Sequence, residues 1–485
     1  MRFPISFRSI ALVAFASIGV VDFLFYEEPL GASAAVAGLY FFGFLLWQMP
    51  PTRRKEAGFF YIAAAFAGLL AALAWNPTPL PILLTATTLA LLAIAARTGG
   101  ASSSSLWLKR LAEFAFWGWM QLWRDSAILD RWKKSGHASK SCFAGSDLKR
   151  RWLFPISITL GFLILFTIAN PIISNWIGNS FQAVERFLSS INWPSTGRIT
   201  LWIITLPLVW TLLRFRPKSR DTLTADRLIP EKVTERISTD TLIRSLILLN
   251  ILFAFMNLLD LRYLWGGATL PDGMTYAEYA QRGAYPLVLS ALLAGFFVIM
   301  TFRSGGASEQ SRLARMMVGI WILQNIFLTV SAGWRLGIYI DIYSLTRLRL
   351  AATIWMGLVA CGLVWISFRI LWHKDNRWLI QRNILTLGAV LYIAAFLNFD
   401  GYIARYNTTH CREVSGNGAP LDWDYLKELG PEALPSVRRL KDIPDLDVQF
   451  QANRHQAQAY LERQLQWQSS NWRGWSLLHY RLRKS

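Results

Sequence analysis

Long apolar runs alternate with polar connections along most of the chain. A hydrocarbon core of roughly 30 Å takes about 20 helical residues at about 1.5 Å each. Runs near that length occupy residues 10–25, 34–47, 58–74, 80–96, 152–173, 199–213, 242–259, 287–301, 317–332, 351–371 and 384–397. The pattern predicts an all-α integral membrane protein of about eleven transmembrane helices. The first run ends in Asp22 and aromatic residues, not in a small-residue cleavage site, so it reads as a retained helix and not as a secretory signal.

The connections carry the orientation. Arg2 and Arg8 precede the first run, Glu27 and Glu28 follow it, Arg53, Arg54 and Lys55 follow the second, and Asn76-Pro77-Thr78-Pro79 turns the third into the fourth. Basic, acidic, basic and neutral connections therefore alternate, and by the positive-inside rule the N-terminus is cytoplasmic. The long connection 97–151 holds eleven Lys or Arg against four Asp or Glu, and 214–236 holds seven against four. Within the first of these, 106–123 interleaves Trp and Phe with Lys109 and Arg110 and reads as an amphipathic helix in the inner interface.

The odd count of helices places residues 400–485 outside. Their twelve basic and ten acidic residues fit translocation better than the basic connections do. Asp422 to Leu426 followed by Gly430-Pro431 predicts a short helix with a glycine stop and a proline restart. Residues 448–467 predict a longer helix, with Trp472, Trp475, Leu477 and Tyr480 as surface to pack against, so the tail reads as a small helical extracytoplasmic cap or as an amphipathic arm. The organisation is a four-helix segment at 1–96, a basic connection at 97–151, two helices and a basic loop at 152–241, a five-helix domain at 242–399, and the tail.

Composition agrees with a membrane chain. Of 485 residues 53% are hydrophobic and 16% charged, where soluble domains carry about 25% charged residues. The net charge of +20 would suit nucleic acid if it were gathered on a soluble module. Its place in the connections points to the membrane surface instead, and no nucleic-acid partner is expected. Cys142, Cys361 and Cys411 have neither metal-site spacing nor an evident disulfide partner, and the five histidines lie outside the apolar runs. No phosphate loop, zinc-helix or nucleophile-elbow motif is present. No metal and no cofactor is expected, no catalytic residue is indicated, and whether any bond is made or broken stays open.

Three constellations hold the candidate chemistry. The first is 261–287, LRYLWGGATLPDGMTYAEYAQRGAYPL, an aromatic, turn-rich stretch between two apolar runs, with Arg262, Tyr276, Glu278, Tyr279 and Arg282. Thr275 with Glu278 matches a capping box, a purely structural role. The other reading makes Glu278 a base or a ligand-contacting carboxylate at the outer interface. The second constellation is 334–349, WRLGIYIDIYSLTRLR, read as an outer connection with Arg335, Tyr339, Asp341, Tyr343, Arg347 and Arg349. These arginines either pair internally, with Asp260, Glu278 or Asp341, or bind an anionic head group. The third is the set of polar residues within helices. Asp22 and Asp260 lie near helix ends, and Asn250, Asn257, Gln324 and Asn325 can bond helices together.

YLWGG at 263–267, LPDGMTYAEYA at 270–280, GAYPL at 283–287, Gln324-Asn325 and YSLTRLR at 343–349 together resemble a family of bacterial polytopic inner-membrane proteins of the DUF4153/4173 kind, domains of unknown function. The resemblance covers about 242–397, with a looser likeness at DYLKELGPEALPSV. It implies a bacterial cytoplasmic-membrane location and no activity. The expected function is binding of an anionic lipid, a lipid-linked envelope precursor or a protein partner at one outer polar and aromatic site. The alternatives are a non-catalytic assembly or signalling component that docks a protein partner through its tail, and a transporter.

Overall fold

In a bilayer every backbone N–H and C=O must be bonded within its own segment, and a helix does this at every residue. The computed structural model describes residues 7–98, 104–121, 123–125, 194–215, 239–266, 311–443 and 447–484, with the single positions 159 and 293. The described apolar helices are α1 (Phe7–Phe25), α2 (Ala32–Gln48), a short α3 (Pro51–Arg54), α4 (Ala57–Trp75) and α5 (Pro79–Thr98). The aromatic α6 (Ser104–Trp117) follows, then α7 (Thr196–Arg214), α8 (Thr239–Asp260), α9 (Arg312–Tyr343), α10 (Arg347–Leu371) and α11 (Asn376–Ala394). The tail adds α12 (Phe399–His410), α13 (Arg412–Ser415), α14 (Trp423–Glu428), α15 (Leu434–Arg439), α16 (Val448–Gln468) and α17 (Leu477–Lys484). No strand occurs among the described residues.

Six of these helices are long and apolar enough to cross a membrane, and a seventh if α11 and α12, bent by 69°, form one span. The helices α1 and α2 are apolar but shorter by the same measure. The predicted helices at 152–173 and 287–301 lie outside the described residues.

The chain folds as two compact units. One comprises Ile5–Tyr26 and Ala115–Arg216. Here α1 packs on α7, and Asp22 accepts hydrogen bonds from Arg198 Nε at 2.7 Å and Trp202 Nε1 at 2.9 Å. Asp125 in turn accepts from Trp210 Nε1 at 3.1 Å and lies 3.2 Å from Arg214. Each acid is thus paired with a guanidinium and accepts from an indole N–H, as acids with little solvent exposure require. Gly118 lets the turn after α6 press on α7, since a Cβ there would come 2.2 Å from the Thr211 methyl.

The other unit comprises Met1–Pro4, Glu27–Phe114 and Pro217–Ser485. Two helix groups carry it, α2 with α4 and α5, and α8 with α9, α10 and α11, and α11 touches α5. Leu246, Val318, Trp321, Ile322, Leu363 and Ile366 form the core of the second group. Polar clamps join α8 to α9. Asn250 Nδ2 donates to the Met317 carbonyl at 3.1 Å, and Gln324 Nε2 donates to the Asn250 carbonyl at 3.3 Å. Asn257 Nδ2 reaches the Gln324 carbonyl at 3.4 Å, whereas Asn325 bonds within its own helix, to the Trp321 carbonyl at 2.8 Å.

In this unit the starts of α2 and α10 and the ends of α4, α9 and α11 meet the tail. The tail buries Ile403, Leu426, Leu434, Val437, Leu461 and Leu465 in one core, and Leu345, between α9 and α10, is part of it. Trp75 at the end of α4 packs on that core and carries Arg481 above its ring at 5.0 Å. The predicted helix at 448–467 is α16, packed in the core, so the tail is a cap and not a detached arm. Gly430, at φ 86°, makes the predicted stop before Pro431.

Candidate functional site

The second constellation is a helix end, not a long connection. The helix α9 runs 32 residues to Tyr343, so Trp334 to Tyr343 are its last turns and only Ser344, Leu345 and Thr346 link it to α10. At about 1.5 Å per residue α9 outruns a hydrocarbon core of roughly 30 Å. Arg335 made this stretch read as a loop, yet it is 3% exposed and its guanidinium pairs with the carboxylate of fully buried Asp260. A paired charge can remain inside a helix bundle where a lone one could not. Ser344, at φ 67°, makes the turn, and the Thr346 hydroxyl then accepts from the Arg349 N–H to open α10.

The first constellation also begins as helix. After α8 the chain continues through a π-turn, Leu261–Trp265, of the kind frequent at functional sites. Trp265 stacks on Trp334 at 5.6 Å and on Phe327 at 6.1 Å, and its indole N–H donates to Ser331 Oγ at 3.1 Å. This stack holds the end of α8 against α9 beside the Asp260–Arg335 pair. Arg262 is exposed, its guanidinium 5.7 Å from the Tyr263 ring. Tyr276, Glu278, Tyr279 and Arg282 lie outside the described residues.

The remaining predicted residues sort into two further groups. The Arg349 guanidinium lies 4.6 Å from the Tyr339 ring, which packs on Tyr343 at 4.7 Å, and it donates to the Tyr343 carbonyl at 2.6 Å and to the Ser344 carbonyl. It thereby satisfies the free carbonyls at the end of α9. Arg347 reaches into the tail instead: its Nε donates to Asp400 at 2.6 Å, and its other guanidinium nitrogen to the Glu428 carbonyl at 3.1 Å. Its backbone N–H donates to the Tyr425 hydroxyl at 2.8 Å. Burial pushes the Tyr425 phenol above its ordinary value, although that N–H and the nearby guanidinium pull the other way. Asp341 accepts from the Tyr406 hydroxyl at 2.7 Å. Each arginine of the constellation is therefore answered by the chain itself.

Sequence reasoning missed the tail side of this joint. Asn407 accepts from the Leu345 N–H at 2.8 Å and donates to the Leu345 carbonyl at 2.9 Å, gripping the α9–α10 turn as a neighbouring backbone would. Asn471 and Arg473 both bond to Glu28, before α2, and the Trp475 carbonyl accepts from the Ala32 N–H at 2.8 Å. Partners separated by 53 to 445 positions leave no local pattern to find. Inside the tail, His479 Nε2 lies 3.3 Å from Glu432, both buried. A hydrogen bond from Gln458, with Arg438 beside it, holds the Glu462 carboxyl below its ordinary value. Among the described residues no three potential metal ligands gather.

Residues 32–440 match the model of a family described as a domain of unknown function (DUF4153). The match extends well beyond 242–397 in both directions, taking in the early helices and the first half of the tail. No curated protein and no solved structure matches the chain.

Proposed function

The chain belongs to the DUF4153 family, and from that premise and the geometry of the joint we propose that it is a non-catalytic assembly or signalling component of a bacterial cytoplasmic membrane. The tail is the module that meets a protein partner, on the outer side. The observation that carries this reading is the way the cap is locked to the spans: Arg347 to Asp400 and Glu428, Asn407 around Leu345, Tyr406 to Asp341. Such a joint transmits the position of α9 and α10 to the cap, and it consumes the charges that a ligand would need. Tyr460 and Trp467, on one face of α16, are 45% and 57% exposed and offer the aromatic contact typical of interface anchors.

The test is photo-crosslinking in native membranes, with the reactive residue placed at Tyr460, at Trp467 or at buried Leu461. The expected result is one discrete adduct from the two exposed positions and none from Leu461. Absence of any adduct, together with a lost phenotype in Glu278→Gln at normal expression, would reject this reading in favour of ligand handling.

The second reading is an outer site for an anionic lipid or a lipid-linked precursor that draws on Arg262 and on Tyr276, Glu278, Tyr279 and Arg282 of the same sequence stretch. It is favoured by the exposed stacked rings of Trp265, just after α8, and Trp334, near the end of α9, since such rings settle at head-group depth. Lipid co-purifying with the chain and lost on Arg282→Gln is its expected sign; unchanged lipid content would refute it.

A further inference from the structure

The opposite end of the α9–α10 hairpin carries a different arrangement. Between the start of α9 and the end of α10 lies a groove of about 580 Å³, within the range of small-molecule pockets, about 300–1,000 Å³. Its walls are Met316, Ile322, Leu323, Ile326, Ile370 and Leu371, with Gly319 and Ser367 among them, the Ser367 hydroxyl donating to its own helix at the Leu363 carbonyl. Arg312, Arg315 and His373 stand at its mouth. An Arg315 Nη lies 3.0 Å from His373 Nε2; a guanidinium can only donate, so that nitrogen of His373 is the acceptor. The turn after α10 presents His373 at φ 50°. Lys374 and Arg377 follow, with Asp375 as the one acid among them, and its carboxylate accepts from the Trp378 N–H to cap α11. Among the described residues no acidic side chain pairs with Arg312 or Arg315.

We propose that this groove seats an anionic phospholipid, one acyl chain lying along the apolar wall and the phosphate held by Arg312 and Arg315. Three observations converge on that occupant. The groove lies between two helices long and apolar enough to span the membrane, so acyl chains are the solvent it faces. Its mouth is cationic and its interior is apolar, the polarity profile of a lipid read from head to tail. Basic pockets between membrane helices are the recognised seats of anionic head groups, and guanidinium forks match phosphate oxygens in pairs. The site lies at the end of the hairpin opposite the cap joint, so it does not depend on the partner reading of the tail. By the positive-inside rule it faces the cytoplasmic leaflet.

The test uses the full chain in nanodiscs of phosphatidylcholine containing 20% phosphatidylglycerol, followed by native mass spectrometry of retained lipid and by melting of the protein in each disc. Wild type is expected to keep phosphatidylglycerol over phosphatidylcholine. About 1 kcal/mol per basic residue near a lipid surface corresponds to about fivefold in retention for Arg312→Gln or Arg315→Gln, and about 25-fold for both. A second variant reads the acyl seat separately. At Gly319 a Cβ would meet nothing within 4 Å, so Gly319→Leu starts into the groove without a backbone clash and is expected to lower retention while the melting temperature in lipid-free detergent holds. Added inorganic phosphate is expected not to compete. Equal retention of both lipids by wild type, retention indifferent to the arginine changes, retention untouched by Gly319→Leu, or displacement by inorganic phosphate would each overturn the proposal.

Discussion

The two ends of the α9–α10 hairpin use the same residue type in opposite ways. At the cap end Arg335, Arg347 and Arg349 are bound by Asp260, by Asp400 and by the carbonyls that end α9. At the other end Arg312 and Arg315 border an apolar groove, and among the described residues Arg315 meets His373 and no acidic side chain pairs with either arginine. Arginine at a helix end is thus a fastener in one place and, on the lipid proposal, a ligand-directed charge in the other. The cap end should be read in stability, the groove end in bound lipid.

The largest effect is expected at Asp260. Removing one partner of a buried ion pair costs about 3–5 kcal/mol, so Asp260→Ala should greatly reduce the folded fraction, while Asp260→Leu with Arg335→Leu should recover much of it. Thermal melts of detergent-purified protein check this; equal melting of the single and double variants would contradict it. Leu461, fully buried in the cap core, should cost about 2–5 kcal/mol when truncated to alanine, read as early protease cleavage of the tail while the helices stay intact.

Gly31→Ala is expected to rank next. A Cβ at Gly31 would lie 2.3 Å from the Gly474 carbonyl carbon, a backbone atom that cannot rotate aside, so the tail must shift at that crossing. Increased hydrogen exchange at 471–475 with α9 unaffected is the expected pattern. Arg347→Gln is milder, because Arg347 is half exposed in its pair with Asp400; exposed pairs contribute about 0.2–1 kcal/mol. At the groove end, Arg312→Gln should leave melting in lipid-free detergent within about 0.5 kcal/mol of wild type, and this near-silence is what separates the two ends.

Alkaline pH sharpens the cap end further. Burial pushes the Cys411 thiol up from 9.0 to about 11, with Glu413 adding to the shift. A folded value above the unfolded one gives a stability contribution present below pH 9 and lost as pH rises toward 11. Cap melting should therefore fall across that window in wild type and fall less in Cys411→Ala.

Much of this was legible in the sequence. Apolar runs of spanning length located α1, α2, α4, α5 and α7 to α11 because a bilayer leaves the backbone no other economical choice, and Gly430-Pro431 marked the break in the tail because its chemistry is local. The helix end around Arg335 was not legible. Its charges read as an exposed connection; internal pairing with Asp260, 75 positions away, is among the expectations and is what Arg335 makes, but it gives no sign that the stretch is helix. The same long-range pairing hid Asp400, Asn407 and Tyr425. The groove was hidden for a further reason: Arg312 and Arg315 count toward the basic bias of a connection, and only the approach of α10 shows the cavity beneath them.

The most direct measurement is a high-resolution density map of the full chain in nanodiscs of native lipid. The account predicts an elongated acyl density along Met316, Leu323 and Ile370 ending in a phosphate beside Arg312 and Arg315, with Arg335, Arg347 and Arg349 held by protein groups alone. An empty groove together with head-group density against Arg335, Arg347 and Arg349 would contradict it.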